Sequence, residues 1–481
     1  MNAATRRSLY TSARPAPEVN TYSSIYFALF DGFNFANPVL THGDMLPGVR
    51  NFLRNQLRQA RHFDVNFPST TEQMEAWLHA DFIDSGRVYQ RYLSERRAGA
   101  APRYLKTTSH AIDFLQKSAP TKLVDGSWLY GLLPRWNEPA FRNLIRIYLE
   151  ELGDGVAQQN HVAIYRKLLA EYSVDDWTEI DDKYFRQGAI QLALAAMADD
   201  FLPEVLGFNL GYEQLPSHLP ITAYELAELG VDPYYFTLHI TIDNFDNGHA
   251  RRALASIMSL IPTGADAKDF LQRVRNGYQL NFLGEGASAI AHSFDLEREL
   301  IALLTRKAEV GQYLHCDRCR IQGMGINEWL ARPGGIPDLL HALESSGWIR
   351  RHQDPANSRF WHLIDGERPL MFGVFDAREK QIVFDWISGD WRAPRSAQKR
   401  VGSETNRSID RTDQATTLSI NNFLQTYSQE PRKNIDDCIR YMSPALHATA
   451  EGLAATRQFA EHFYRQPQTQ TIAPMRPLYH A

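Results

Sequence analysis

Cysteine is scarce: Cys316, Cys319 and Cys438 are the only three in 481 residues. That excludes a disulfide scaffold and fits a reducing, cytoplasmic setting. Long apolar runs are missing as well. Nothing approaches the ~20 apolar residues that a membrane-spanning helix needs. The basic opening, MNAATRRSLYTSARPAPEVN, has no apolar block after it and does not read as a secretory signal. Charge of one sign is not in excess: 51 Lys and Arg stand against 56 Asp and Glu, a net −5. Neither a nucleic-acid nor a membrane partner is expected. There is no Gly-x-x-x-x-Gly-Lys-Ser/Thr loop and no Gly-x-Gly-x-x-Gly after a strand, so nothing points to a nucleotide cofactor. Ser127 in VDGSWLYG lacks the strand-to-helix context of a nucleophile elbow. HCDRC (315–319) holds one Cys-x-x-Cys, but a structural zinc needs four ligands. Only Cys438 and His447 remain to complete one, across an expected linker, so ordinary thiols are expected.

What is present is helical periodicity. A chain of this length predicts two or three domains, and 44% apolar with 22% charged residues is ordinary for a soluble globular protein. Residues 1–20 read as disordered, and 21–104 as an N-terminal helical region. Spacings of three and four between apolar residues continue through 105–310, with no run of alternating strands. The fold class expected is therefore mainly α. Residues 311–395 read as a small mixed α/β appendage, with β-like runs in SRFWHLID, PLMFGVFD and KQIVFDWI. A polar linker, 396–416, precedes a helical C-terminal tail, 417–481, with helices near 417–428 and 433–465.

One stretch does not fit a plain core helix. YYFTLHITIDNFDNGHARRAL (234–254) places His239, Asp243, Asp246 and His249 in an apolar pattern. At about 100° per residue they lie within about 80° of His239 and can share one face. Burying that much charge costs several kcal/mol unless something pairs with it. His and carboxylate are common metal ligands. Two other segments offer partners. In YLEELGDGVAQQNH, Glu151 lies beside the apolar stripe, and Gly153-Asp154-Gly155 would unwind the helix and bring His161 back toward it. In DDFLPEVLGFNLGYE, Glu204 sits inside an apolar helix. Glu151, His161, Glu204, His239, Asp243 and His249 are then six candidate ligands. Any one alone reads as a core or surface residue; as a group in three apolar segments they suit two iron or manganese ions.

These residues resemble the haem-oxygenase-like diiron oxidases and oxygenases, a family of iron-containing redox enzymes. The likeness is carried by LVDGSWLYG (123–131), IYLEELGDG with His161, FLPEVLG (201–207) and DPYYFTLHITIDNFDNGHA (232–250). It extends to PLMFGVFDAREKQIVFDWI in the appendage. The resemblance implies a haem-oxygenase-like helical bundle over 105–310, two Fe(II) per chain, and O2 as co-substrate. It implies Glu151 and His161, Glu204, then His239, Asp243 and a final His as ligands, His249 here. Asp246 occupies the place where many members have that last His and is its rival. Three carboxylates would repel the propionates of a porphyrin, so free iron is expected rather than haem. Members of this type N-oxygenate amines of amino acids, or cleave C–C bonds in fatty or amino acids to leave an alkene. N-oxygenation of a small amino-acid-type metabolite in specialised biosynthesis is the expectation, with alkene-forming cleavage or desaturation as the alternative. An external electron donor and a homodimer are compatible with it. A non-catalytic helical partner protein of a biosynthetic cluster is the alternative of another class. Tyr148, Tyr165, Tyr234, Tyr235 and Phe236 flank the ligands, and Arg146 or Arg251 could hold a substrate carboxylate.

Overall fold

A computed structural model describes residues 21–34, 46–174, 176–242, 248–316, 318–392 and 434–466. The fold is mainly α, as the periodicity predicts. Among the described residues the strands are the two-residue pair Arg320–Ile321 and Met324–Gly325, antiparallel. No described helix is long and apolar enough to cross a membrane.

The main body wraps one large apolar core. It takes Tyr26 and Leu29 from the helix Tyr22–Asn34, Leu53 from Leu46–Ala60, Ile147 and Leu149 from Arg142–Glu151, and Phe459 from Ala450–Arg465. The N-terminal and C-terminal helices thus share a core with the central ones. The helix Leu202–Tyr212 packs closely on Asp266–Gln279. A Cβ on Gly207 would lie 1.8 Å from the Val274 carbonyl oxygen, and one on Gly277 would lie 2.0 Å from that of Glu204. Any larger residue at either place would push the backbones apart. A second cluster, with Phe114, Leu115, Tyr165 and Tyr235, takes in the apolar face of the helix His161–Glu171.

The appendage has its own core of Leu303, Ile364 and Ile387, to which the helix Leu296–Gly311 contributes. Asp385 ties it to the main body by accepting from the Ser109 N–H at 2.7 Å. Its β-like runs are corrected by the structure: 358–365 contains the helix Arg359–Asp365, and 380–387 lies within the helix Ala377–Ser388. Asp376 and Glu379 form a capping box at the start of the latter. PLMFGVFD is turn and coil. The expected helix 433–465 is two, Ile435–Tyr441 and Ala450–Arg465, separated around Pro444. The expected disordered N-terminus, the linker 396–416 and the helix 417–428 lie outside the described residues.

Candidate metal centre

Three local devices bring the donors together. The helix Thr108–Lys122 gives way to a turn in which Gly126 has φ +73°. That left-handed residue aims Asp125 inward and lies against Glu151; a Cβ there would be 2.9 Å from the Glu151 Cβ. The helix Arg142–Glu151 then ends in Gly153-Asp154-Gly155, all at positive φ (61°, 50° and 82°), which reverses the chain. It returns at Asn160, whose Oδ1 caps the next helix by accepting from the Ala163 N–H at 2.9 Å. His161 opens that helix with Nδ1 2.5 Å from Glu151 Oε2. The third device is the helix Tyr234–Ile242. There His239 Nδ1 donates to the Tyr235 carbonyl at 2.7 Å, leaving Nε2 to face Asp125 Oδ2 at 3.2 Å.

Two donor groups result. Asp125, Glu151, His161 and His239 each present a ligand atom within 4.8 Å of the others, and so do Glu151, Glu213 and His249. All are buried, none more than 7% exposed. Glu151 belongs to both: Oε2 faces His161, and Oε1 lies 3.3 Å from His249 Nδ1. Glu213 Oε2 is 3.0 Å from the same His249 nitrogen. His249 Nε2 donates to Glu150 Oε2 at 2.9 Å, and Glu150 is also held by Arg146 and Arg252. Tyr235 Oη donates to Asp125 Oδ2 at 2.5 Å.

The electrostatics are those of a crowded carboxylate–imidazole site. Burial alone would raise the Glu151 carboxyl, but His161 and His249 hold it well below the usual range. Burial opposes charge on His249, yet Glu213, Glu150 and Glu151 raise it well above an ordinary imidazole. Burial likewise opposes charge on Asp125, and Lys122 and His239 hold it down. Burial and the neighbouring His161 lower His239, while burial raises Glu213. Glu150, less enclosed, falls to about 2: burial opposes this, and His249, Arg146 and Arg252 outweigh it.

The residues fit a metal. Asp125 Oδ1 and Glu213 Oε1 are buried with no hydrogen-bond partner, and His161 Nδ1 is pressed against Glu151 Oε2 at 2.5 Å. Each unpartnered atom costs about 1–3 kcal/mol, and a cation held by each donor group would relieve it. Oxygen and imidazole donors suit iron.

Of the six expected ligands, Glu151, His161, His239 and His249 are brought together here. Glu204 is not. It is buried, but it accepts from Arg273 Nε at 2.8 Å and Nη2 at 2.7 Å, so its charge is matched by arginine and it stands apart from both groups. Asp243 and its neighbour Asp246 lie outside the described residues. Sequence reasoning passed over Asp125 and Glu213. The signal for Asp125 was a lone carboxylate in VDGSW, ahead of a glycine; Glu213, just past its helix, gave none. The flanking aromatics Tyr148 and Tyr165 are walls, their hydroxyls donating to the carbonyls of Met442 (2.5 Å) and Leu115 (2.8 Å). Tyr235 and Phe236 are buried, and Tyr234 is 43% exposed. Arg146 and Arg251 are engaged by Glu150 and Glu75.

Residues 112–282 match the family model of the iron-containing redox enzymes. That segment is similar to the iron-containing redox enzyme family. It contains every candidate donor named above, and the match supports a general iron-dependent oxidoreductase. No curated protein and no solved structure matches the chain. The turn between the two C-terminal helices lies beyond the segment matched to the iron-containing redox enzymes, yet it reaches the edge of the centre. Asn160 Nδ2 contacts His447 Nδ1 at 3.1 Å, and burial, with Arg166 nearby, lowers His447 to about 3, so it is neutral.

Proposed function

We propose that this chain is a non-haem diiron, O2-dependent oxygenase acting on a small amino-acid-type metabolite, by N-oxygenation of its amine. The observation that carries the two-iron reading is the division of Glu151, one oxygen in each donor group. Asp125, Glu151, His161 and His239 would hold one ion, and Glu151, Glu213 and His249 the other. Bound iron supplies the electrons and open coordination positions with which O2 is activated.

The chain's own residues do the rest. Tyr235 fixes Asp125 through its hydroxyl and His239 through its carbonyl, so both are oriented by one residue. Glu150 orients His249 in the same way from outside, as carboxylates behind metal-bound histidines do. Burial of every donor excludes bulk water and favours a small substrate over a macromolecular one. The choice of N-oxygenation rests on the sequence resemblance.

The test is anaerobic Fe(II) loading, then O2 exposure with a panel of amino acids, read by absorbance and mass spectrometry. About two irons per chain and an oxygenated amine are expected. A single iron at saturation would sink the diiron reading, and alkene release would move the reaction to C–C cleavage.

A further inference from the structure

The helix Leu46–Ala60 and the residue after it carry Arg50, Arg54, Arg58 and Arg61. Their spacing puts them along one side over about 16 Å. Arg273 and Arg275, from Asp266–Gln279, face the same space. Two adjoining cavities of about 350 and 500 Å³ share Arg61; Arg273 lines the first and Arg275 the second. Six arginines meet only three carboxylates there, Asp64, Asp200 and Glu204. Asp200 is taken by Arg50 at 2.5 Å and Glu204 by Arg273. Among the described residues Arg54, Arg58 and Arg61 have no carboxylate partner, and all three are exposed. Arg275 Nε is buried without a hydrogen-bond partner. Like charges one helical turn apart repel, so this stripe is held against its own repulsion in a chain of net charge −5.

Beside the arginines two rings face solvent. Phe63 is 39% and Phe282 47% exposed, with centroids 6.0 Å apart. Exposed aromatics among arginines are the composition of a protein interface; a phosphate site has no use for bare rings. The face is also near the metal centre. The helix Leu202–Tyr212 carries Glu204 in this face and ends one residue before the donor Glu213. Nine residues of helix span about 13.5 Å.

The chemistry needs a partner of this kind. Converting R–NH2 and O2 to R–NHOH and H2O consumes two electrons and two protons beyond those of the amine. We propose that this arginine face docks an acidic one-electron carrier protein, which delivers those electrons to the iron centre. The proposal rests on the O2-dependent reading above.

The probe is an acidic plant-type [2Fe–2S] ferredoxin, kept reduced by its reductase and NADPH. Iron-loaded, oxidised full-length protein is mixed with it without O2, and ferrous iron is followed with a chelator. Dithionite serves as the reductant that needs no docking. In wild type, ferredoxin-driven reduction should slow steeply with salt. In R54E/R58E it should fall on the order of tenfold or more, with iron content and dithionite reduction unchanged. Phe63→Ser should slow it while keeping the salt dependence. Equal ferredoxin rates in wild type and R54E/R58E would overturn the proposal. So would a wild-type centre that dithionite reduces and ferredoxin does not. Inorganic pyrophosphate that stabilises wild type but not R54E/R58E, with ferredoxin rates unaffected, would assign the face to a phosphate ligand instead. A chain that holds no iron under any reductant overturns the metal-centre reading and this proposal with it.

Discussion

Gly126→Ala should cost stability and iron together, and Gly230→Ala only stability. Both glycines have nearly the same backbone, φ +73° and +77°. An alanine pays the left-handed penalty at either place, about 1–2 kcal/mol. Around Gly230 there is nothing within 4 Å of an added Cβ, so that penalty is the whole effect. At Gly126 the Cβ would sit 2.9 Å from Glu151 Cβ and 3.0 Å from Cγ. Overpacking of this kind adds about 1–3 kcal/mol, for a total of about 2–5 kcal/mol. Relief by moving Glu151 would shift the one carboxylate both donor groups use. The assay is urea denaturation of the iron-free variants, with iron counted after anaerobic loading. Gly126→Ala should unfold at lower urea than Gly230→Ala and hold less iron, while Gly230→Ala should load fully. Equal losses of stability, or full iron in Gly126→Ala, would refute the tight approach of this turn to Glu151.

Glu151→Gln should lose both irons, whereas Glu213→Gln should retain one; equal iron content in the two variants would contradict a shared donor. Glu204→Gln should keep full iron but lower stability by about 1–3 kcal/mol, since it breaks a buried charged hydrogen bond; denaturation and iron counting check both halves. His110 gives a pH dependence. Burial lowers it from 6.5 to about 4 while it bonds the Ala291 carbonyl. The unfolded chain therefore takes up the proton first, and stability is lost as pH falls from about 6.5 to 4. His110→Gln should flatten that loss, measured as denaturation midpoints at several pH values. Replacing Cys316 and Cys319, both exposed, by Ser should leave stability within about 0.5 kcal/mol; one equivalent of zinc lost with them would show a metal site.

Helices were legible in the sequence because a 3.6-residue apolar period survives without knowledge of the neighbours. The return of the chain from Glu151 to His161 was legible for a similar reason: two glycines around Asp154 dictate a reversal locally. The apparent strands of the appendage misled because short apolar, aromatic-rich runs suit a buried helix as well as a strand. The capping pair Asp376 and Glu379 was the local clue to helix there. Which carboxylates meet was another matter. Glu204 lies in an apolar helix and must be neutralised, a requirement that the sequence states and does not solve. The solution is Arg273, 69 residues away, because Gly207 and Gly277 let their two helices close to backbone contact. Asp125 and Glu213 join the candidate donors only because a left-handed turn and a helix end deliver them to Glu151. The sequence by itself determined the helices, the turns and the charge that had to be buried. Tertiary packing decided which charge met which, because pairing depends on distances between segments that no local pattern encodes.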